Sequence, residues 1–253
     1  MLTVNAGRDV VERQLGGGEL ACPSCGGVLA RWGHGAARRV RLPGGPGGEQ
    51  ARHVVLVPRR SRCRGCGATH VLLPAWCLAR RADAVQVIGL ALEAKAAGAG
   101  HRVIAERLGR PASTVRGWLR AFAARAEQVR SVFTALAVAL VTDPPLPAPA
   151  GSPIPDAVAA VAAAAVAAAA VPGVGAVARW QLAAAVTCGL LLAPAWPARV
   201  ANTSWLWAAP RRAGILGDCD STVSTEEVNR CQELRRTASG RPAPSRSPCS
   251  GTS

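Results

Sequence analysis

Residues 101–120 read HRVIAERLGRPASTVRGWLR, and this stretch decides the fold. Ile104, Leu108, Val115, Trp118 and Leu119 recur at helical spacing, in two runs interrupted at Gly109-Arg110-Pro111. Apolar residues three and four apart form one stripe on a helix, so two short amphipathic helices joined by a turn fit the pattern. Ala105 is small where two such helices must cross closely. Gly109 stands where the turn needs a left-handed residue. Pro111 suits the first turn of the next helix, where a missing N–H costs nothing. Ala, Gly and Val at the fifth, ninth and fifteenth positions of this stretch form the pattern of a helix-turn-helix unit. Upstream, residues 82–97 place Val85, Ile88, Leu92 and Ala96 on one face, which completes a three-helix core.

The other face of the second helix carries Ala112, Ser113, Thr114, Arg116, Gly117 and Arg120. Hydroxyls there can donate to phosphates or base edges, and Arg116 or Arg120 can reach guanine in a major groove. The plainer reading is a solvated helix face. The apolar pattern then continues through Val115, Leu119, Phe122, Ala126, Val129, Phe133, Leu136 and Leu140, at alternating steps of four and three. That is a heptad seam on one long helix. Val115–Leu140 either zips two copies into a homodimer or packs on an Ala-rich segment of the same chain.

Toward the N-terminus lie two Cys-x-x-Cys pairs, Cys22-Pro23-Ser24-Cys25 and Cys63-Arg64-Gly65-Cys66. Two intervening residues let one tight turn present both sulfurs to one metal. The glycines that follow, Gly26-Gly27 and Gly67, allow a positive φ or a close backbone approach. Four thiolates suit one structural Zn²⁺ per chain in a closed tetrahedral site, with no open position for catalysis. An iron–sulfur cluster would use the same ligands, and Cys77, His34, His53 or His70 could replace one of the four. A redox Cys-x-x-Cys would come singly beside a βαβ pattern. The interval between the pairs exceeds the compact spacing, and two expected strands, Arg38–Leu42 and His53–Val57, account for it. Joined by Pro43-Gly44-Gly45-Pro46-Gly47-Gly48, they would form a hairpin arm. A third strand is expected at His70–Leu73.

The charge is uneven. Residues 1–130 hold 21 Arg and Lys against 8 Asp and Glu, whereas 131–207 hold two of each. The basic first half favours a polyanionic partner and excludes an acidic disordered chain. The 30 basic residues are Arg except for Lys95, a bias that a GC-rich genome also produces. Composition divides the chain into a lead-in at 1–20, with a helical stretch at Val10–Leu15, and a zinc ribbon at 21–76. A helix-turn-helix with a long C-terminal helix follows at 80–140, then a Pro-rich linker at 141–155. An Ala-rich helical region occupies 156–207, and a disordered tail 208–253. The expected fold class is thus a small β zinc ribbon, an all-α helix-turn-helix domain and Ala-rich helices. Arg8, Asp9, Glu12 and Arg13 stand where a signal peptide would be apolar, and unpaired thiols suit a reducing compartment, so a cytoplasmic, nucleoid-associated location is expected. The uncharged runs Ala157–Val171 and Gln181–Ala195 are shorter than the roughly 20 residues that span a bilayer, which argues against a membrane.

The run from Arg59 to Pro74, preceded by Cys22-Pro23-Ser24-Cys25 and followed by the 101–120 unit, resembles the N-terminal region of bacterial insertion-sequence transposases. It is also similar to an uncharacterised actinobacterial family of short proteins with the same layout. The resemblance covers roughly residues 20–130. It implies a zinc ribbon and a helix-turn-helix that bind double-stranded DNA. On the ribbon, Arg59, Arg60, Arg62 and Arg64 are expected to contact phosphates. Arg38, Arg39 and Arg41 on the arm join them. The catalytic half of such transposases needs three carboxylates on a mixed sheet. After residue 130 this chain offers Asp143 and Asp156 at the linker and five acids in the tail, with no strand pattern. The expectation is a non-enzymatic, zinc-stabilised, sequence-specific DNA-binding protein, transposase-derived, transposition-associated or a transcriptional repressor. The alternative is a zinc-ribbon protein-interaction module whose helical half oligomerises or docks on a membrane. An out-of-frame tail in a decayed gene is a third reading.

Overall fold

A computed structural model describes residues 1–4, 7–44 and 50–194. Six strands and seven helices follow in the order β1 (Leu2–Val4), α1 (Arg8–Gly16), β2 (Leu29–His34), β3 (Arg38–Arg41), β4 (His53–Leu56), β5 (Arg59–Cys63), β6 (Thr69–Pro74), α2 (Val85–Ala96), α3 (His101–Leu108), α4 (Ala112–Ala123), α5 (Ala126–Leu140), α6 (Pro153–Ala170) and α7 (Arg179–Val186). The expected tail at 208–253 and the end of the Ala-rich region lie outside the described residues.

The ribbon is a four-stranded sheet in the order β1-β6-β5-β2, with β1 parallel to β6 and the other pairs antiparallel. Within the lead-in at 1–20, the expected helical stretch forms as α1 and a strand precedes it. Leu2–Val4 adds an edge strand, and α1 closes one face of the sheet over Leu2, Val4, Val11, Leu15, Leu29 and Leu72. Strands β2 and β5 were not expected. Arg59–Cys63 reads as a basic loop because alternate residues leave the core, while Ser61 and Cys63 turn inward and are buried.

The arm forms as expected, β3 pairing antiparallel with β4, but it does not project. Val40 is buried among the helices. Arg41 N–H donates to Ala82 O, and Ala84 N–H donates to Arg41 O, both at 2.8 Å. A strand whose outward groups are paired this way is anchored as firmly as one inside a sheet.

The expected long helix is two helices. Ala124 stays helical, but Arg125 (φ −123°, ψ 0°) breaks the run. The break lets Phe122 and Ala126 both bury and turns α5 onto α6. The heptad seam is thereby used within the chain: Val115, Leu119, Phe122, Ala126, Val129, Phe133 and Leu136 are buried and Leu140 is half-buried. Homodimerisation through Val115–Leu140 would require that core to open. Among the described residues the α5 part of the seam packs against the Ala-rich helix, and its α4 part mainly against α3 and α2.

Helix α6 begins four residues before the run that starts at Ala157, at Pro153, where proline is tolerated at a helix start. At 18 residues it is long and apolar enough to cross a membrane by length and composition, so the length argument above fails for it. Half of it is buried, against α5, α2 and α7. Helix α7 seats Trp180 over Gly89 of α2. A Cβ there would lie 2.2 Å from the indole, so only glycine admits the ring. Trp180 Nε1 donates to Glu93 Oε1 at 2.8 Å, and Arg179 pairs with the same carboxylate at 3.3 Å.

Candidate metal centre and nucleic-acid interface

The two cysteine turns are built alike. Cys22 N–H donates to Gly27 O, and Cys63 N–H to Ala68 O; Gly26 N–H returns to Cys22 O, and Gly67 N–H to Cys63 O. Gly26 (φ +75°) and Gly67 (φ +72°) hold the left-handed positions that close each turn, where a side chain would be strained. At Gly27 a Cβ would meet Cys63 Sγ at 3.1 Å and Cys25 Sγ at 3.3 Å, so this glycine leaves room for the sulfurs.

These turns bring Cys22, Cys25, Cys63 and Cys66 together, with all four Sγ atoms within 4.8 Å of one another. Cys25 and Cys63 are 3.5 Å apart, and Cys22 and Cys66 3.8 Å. A tetrahedron with zinc–sulfur bonds of about 2.3 Å has edges of about 3.8 Å, so the cluster is compatible with a zinc site and consistent with a zinc ribbon. The thiols divide in acidity. The Cys66 backbone N–H lowers Cys63 to about 6 against the cost of burial. At Cys22, burial raises the pKa, but the N–H groups of Ser24 and Cys25, with His70 and Cys66, bring it to about 7. Cys66 is favoured as thiolate by the Ala68 N–H, yet its neighbours Cys25, Cys63 and Cys22, together with burial, push it to about 11. The crowding thus falls on Cys66, whose thiol keeps its proton where a bound cation would displace it.

Beside the cluster, His70 Nε2 lies 3.3 Å from Cys22 Sγ and is buried. From there its ring would steady the Cys22 sulfur if a metal were held by the four cysteines. Cys77 is buried in the helical core, and His34 contacts Arg59.

In the helix-turn-helix, Gly109 is left-handed (φ 57°, ψ 45°) and ends α3, as its place in the turn requires. Pro111 stands just before α4 as its cap rather than within it. Val115, Trp118, Leu119 and Phe122 are buried, whereas Ser113, Arg116, Gly117 and Arg120 are exposed; Ala112 and Thr114 are half-buried. The exposed four recur at steps of three, one and three, forming one stripe.

The arm clamps this turn. Arg41 Nη1 donates to Gly109 O at 2.8 Å. Asp83, whose side chain is 4% exposed, pairs with Arg110 at 2.9 Å. Burial pushes Asp83 above the usual carboxylate range, opposed by Arg110 and Arg41. Arg110 and Arg41 thus hold α4 in place. The sequence signal was available: Asp83 is the sole acid between Glu49 and Glu93, in a segment otherwise apolar enough to bury.

The ribbon arginines separate by face. Arg59 faces α1, pairs with Glu12 at 2.8 Å and is 17% exposed. Arg62 and Arg64 are exposed, and Arg60 is half-buried. Arg62 lies over the Trp32 ring, 4.8 Å from its centroid.

Residues 79–130 match the model of a homeodomain-like domain, found in transposase-type helix-turn-helix proteins. The match covers α2, α3, α4 and the start of α5, and such a domain suggests DNA binding. No curated protein and no solved structure matches the chain.

Proposed function

We propose that this chain is a zinc-stabilised, sequence-specific double-stranded DNA-binding protein that acts by binding rather than by catalysis. Helix α4 enters the major groove, with Arg116 and Arg120 reaching base edges and Ser113 and Thr114 meeting phosphates and edges alike. The ribbon holds flanking backbone through Arg60, Arg62 and Arg64. The observation that carries the reading is the polar outward stripe of α4 inside a homeodomain-like domain. Gly117 supports it: a Cβ there would meet nothing within 4 Å, so packing does not explain a glycine in mid-helix. Close approach of a nucleic-acid backbone does.

Cys22, Cys25, Cys63 and Cys66 would hold one Zn²⁺, which cross-links the two turns and leaves no open coordination position. Among the described residues beyond 130, the carboxylates are Asp143 and Asp156. Asp156 accepts a hydrogen bond from Ala150 N–H at 2.6 Å, which gives it a structural task. A transposase-derived or transposition-associated factor, or a transcriptional repressor, fits these parts, working on the nucleoid in the cytoplasm.

Site selection from random duplexes tests the proposal. One consensus should emerge from the zinc-loaded chain. Arg116→Ala with Arg120→Ala should relax it, whereas Arg60→Ala should weaken all sequences alike. If six to ten phosphates are contacted, affinity should fall by roughly 10³–10⁵ between low and moderate salt. An unchanged consensus in the double variant would remove α4 from the role. Absence of duplex binding at low salt would remove the function.

A further inference from the structure

The ribbon sheet has two faces, and half of one is left open. Along β5, Ser61 and Cys63 turn toward α1 and the cysteine cluster, so Arg60 and Arg62 point the other way. On that second face the β1–β6 side is covered by the helices: Thr3 Oγ1 donates to Ala184 O at 3.3 Å, and Leu73 is buried near Gly189. Among the described residues no helix packs on the β5–β2 side of that face. There stands Trp32, 52% exposed, whereas Trp118 and Trp180 are buried.

Local backbone puts it there. Arg31 pairs with Ser61 and Gly33 with Arg60, so Trp32 is the extra residue of a β-bulge. Gly33 at φ +132° completes the distortion. Bulges re-aim a side chain, and this one sets an indole beside Arg62. The Arg62 guanidinium is held twice, by the ring and by Nε donating to Gly67 O at 3.3 Å. Among the described residues, Arg60, Arg62 and Arg64 form no ion pair.

We propose that Trp32, with Arg60 and Arg62, is a platform for an unpaired nucleobase and its phosphate, so that the ribbon engages a single-stranded or frayed segment next to the duplex read by α4. An indole can meet the face of a base only when that base has left the stack. An aromatic ring among unpaired arginines is the pairing of stacking and charge that binds single strands without reading sequence. Duplex backbone alone would use the arginines and leave the ring idle. The inference rests on the DNA-binding reading and adds a second kind of contact to it.

The test uses the full zinc-loaded chain and two probes: a blunt duplex carrying the selected site, and the same duplex with an unpaired thymidine extension of about five nucleotides. The wild type should bind the extended probe about tenfold more tightly, the order of one stacked base. Trp32→Ala should erase that gain and leave blunt-duplex affinity unchanged, and Trp32→Phe should keep most of it. Arg62→Gln should reduce the gain and lower its salt dependence. Zinc content and melting temperature, matched to the wild type, show that a variant is folded, and Trp32→Phe carries the test if Trp32→Ala is not. Equal affinity of the wild type for both probes, or a gain that survives Trp32→Ala, overturns the platform while α4 stands. A wild type that binds neither probe overturns both.

Discussion

The ribbon and the helices solve the same problem with different means. Beneath the sheet, the described residues bury Leu2, Val4, Val11, Leu15, Leu29 and Leu72, with the thiols of Cys22 and Cys63 among them and Leu20 at the edge. The helices bury Trp118, Phe122, Phe133 and Trp180 in a continuous core of Leu, Ile, Val and Ala. So small a core offsets little of the entropy of ordering the cysteine turns, and a metal held by the four cysteines would add a cross-link where burial is least. The arm crosses this division: it is ribbon by sequence and helical core by packing, since Val40 buries with the helices.

Metal removal probes that contrast most strongly. Structural zinc contributes roughly 10 kcal/mol or more to folding at neutral pH. Chelation, or Cys63→Ser, is expected to expose the amides of β2, β5 and β6 to hydrogen exchange. Those of β3, β4 and the helices should stay protected. Far-UV circular dichroism should keep its helical signal. If the helices melt in the same step as the sheet, the two regions are one cooperative unit and the contrast is void.

The next largest effect is at the clamp. Arg110→Ala would take from the buried Asp83 carboxylate its one ion-pair partner among the described residues, leaving only Arg41 and His53 nearby, at a cost of up to about 3 kcal/mol by analogy with other broken buried pairs. The pH dependence has a definite sign. Asp83 already titrates above the usual carboxylate range because it is buried. The folded state therefore holds that proton more tightly than the unfolded chain, and stability contributed by protonation is lost as pH rises through the folded pKa. Removing Arg110 raises that pKa further. The stability gap between variant and wild type should thus narrow on acidification toward pH ~4, as the carboxylate becomes neutral. Denaturant melts at two pH values measure it, and a gap constant with pH would show that the ion pair is not the source.

A smaller effect separates α7 from the rest of the core. Gly89→Ala would drive a methyl into the Trp180 ring, and overpacking of this kind costs about 1–3 kcal/mol. In a Trp180→Ala background the same substitution should cost nothing further, because the clash is gone. Equal cost in both backgrounds, read from thermal melts, would mean that α7 is not seated on α2.

What could be read without coordinates follows the same division. Side chains whose role is local announced themselves. The paired Cys-x-x-Cys turns, the left-handed Gly109 and the apolar stripe of α4 each depend on residues a few positions apart. Features that depend on distant partners did not. Arg59 was grouped with the phosphate-binding arginines, because nothing near it in sequence indicates Glu12. The break at Arg125 has no proline or glycine to mark it, since packing against α6 imposes it. Strand β1 is three residues long and finds its partner at residues 72–74. Nothing near Trp32 in sequence marks it as exposed, because its bulge exists only in the register of β2 against β5.

The smallest expected effect separates the two surfaces of α4. Its buried surface is chosen for stability: Val115, Trp118, Leu119 and Phe122 all pack. Its open surface includes Gly117, which no neighbour requires. In an exposed helix interior, alanine is better than glycine by about 0.5–1 kcal/mol, so Gly117→Ala should raise the melting temperature. If the backbone of α4 lies against DNA, the added methyl stands between them and affinity for the selected site should fall even as the protein becomes more stable. Opposite signs in one variant distinguish a binding surface from a merely solvated one. A Gly117→Ala protein that is stabilised and binds DNA undiminished would place the contact elsewhere on the helix, at Arg116 and Arg120 without close backbone approach.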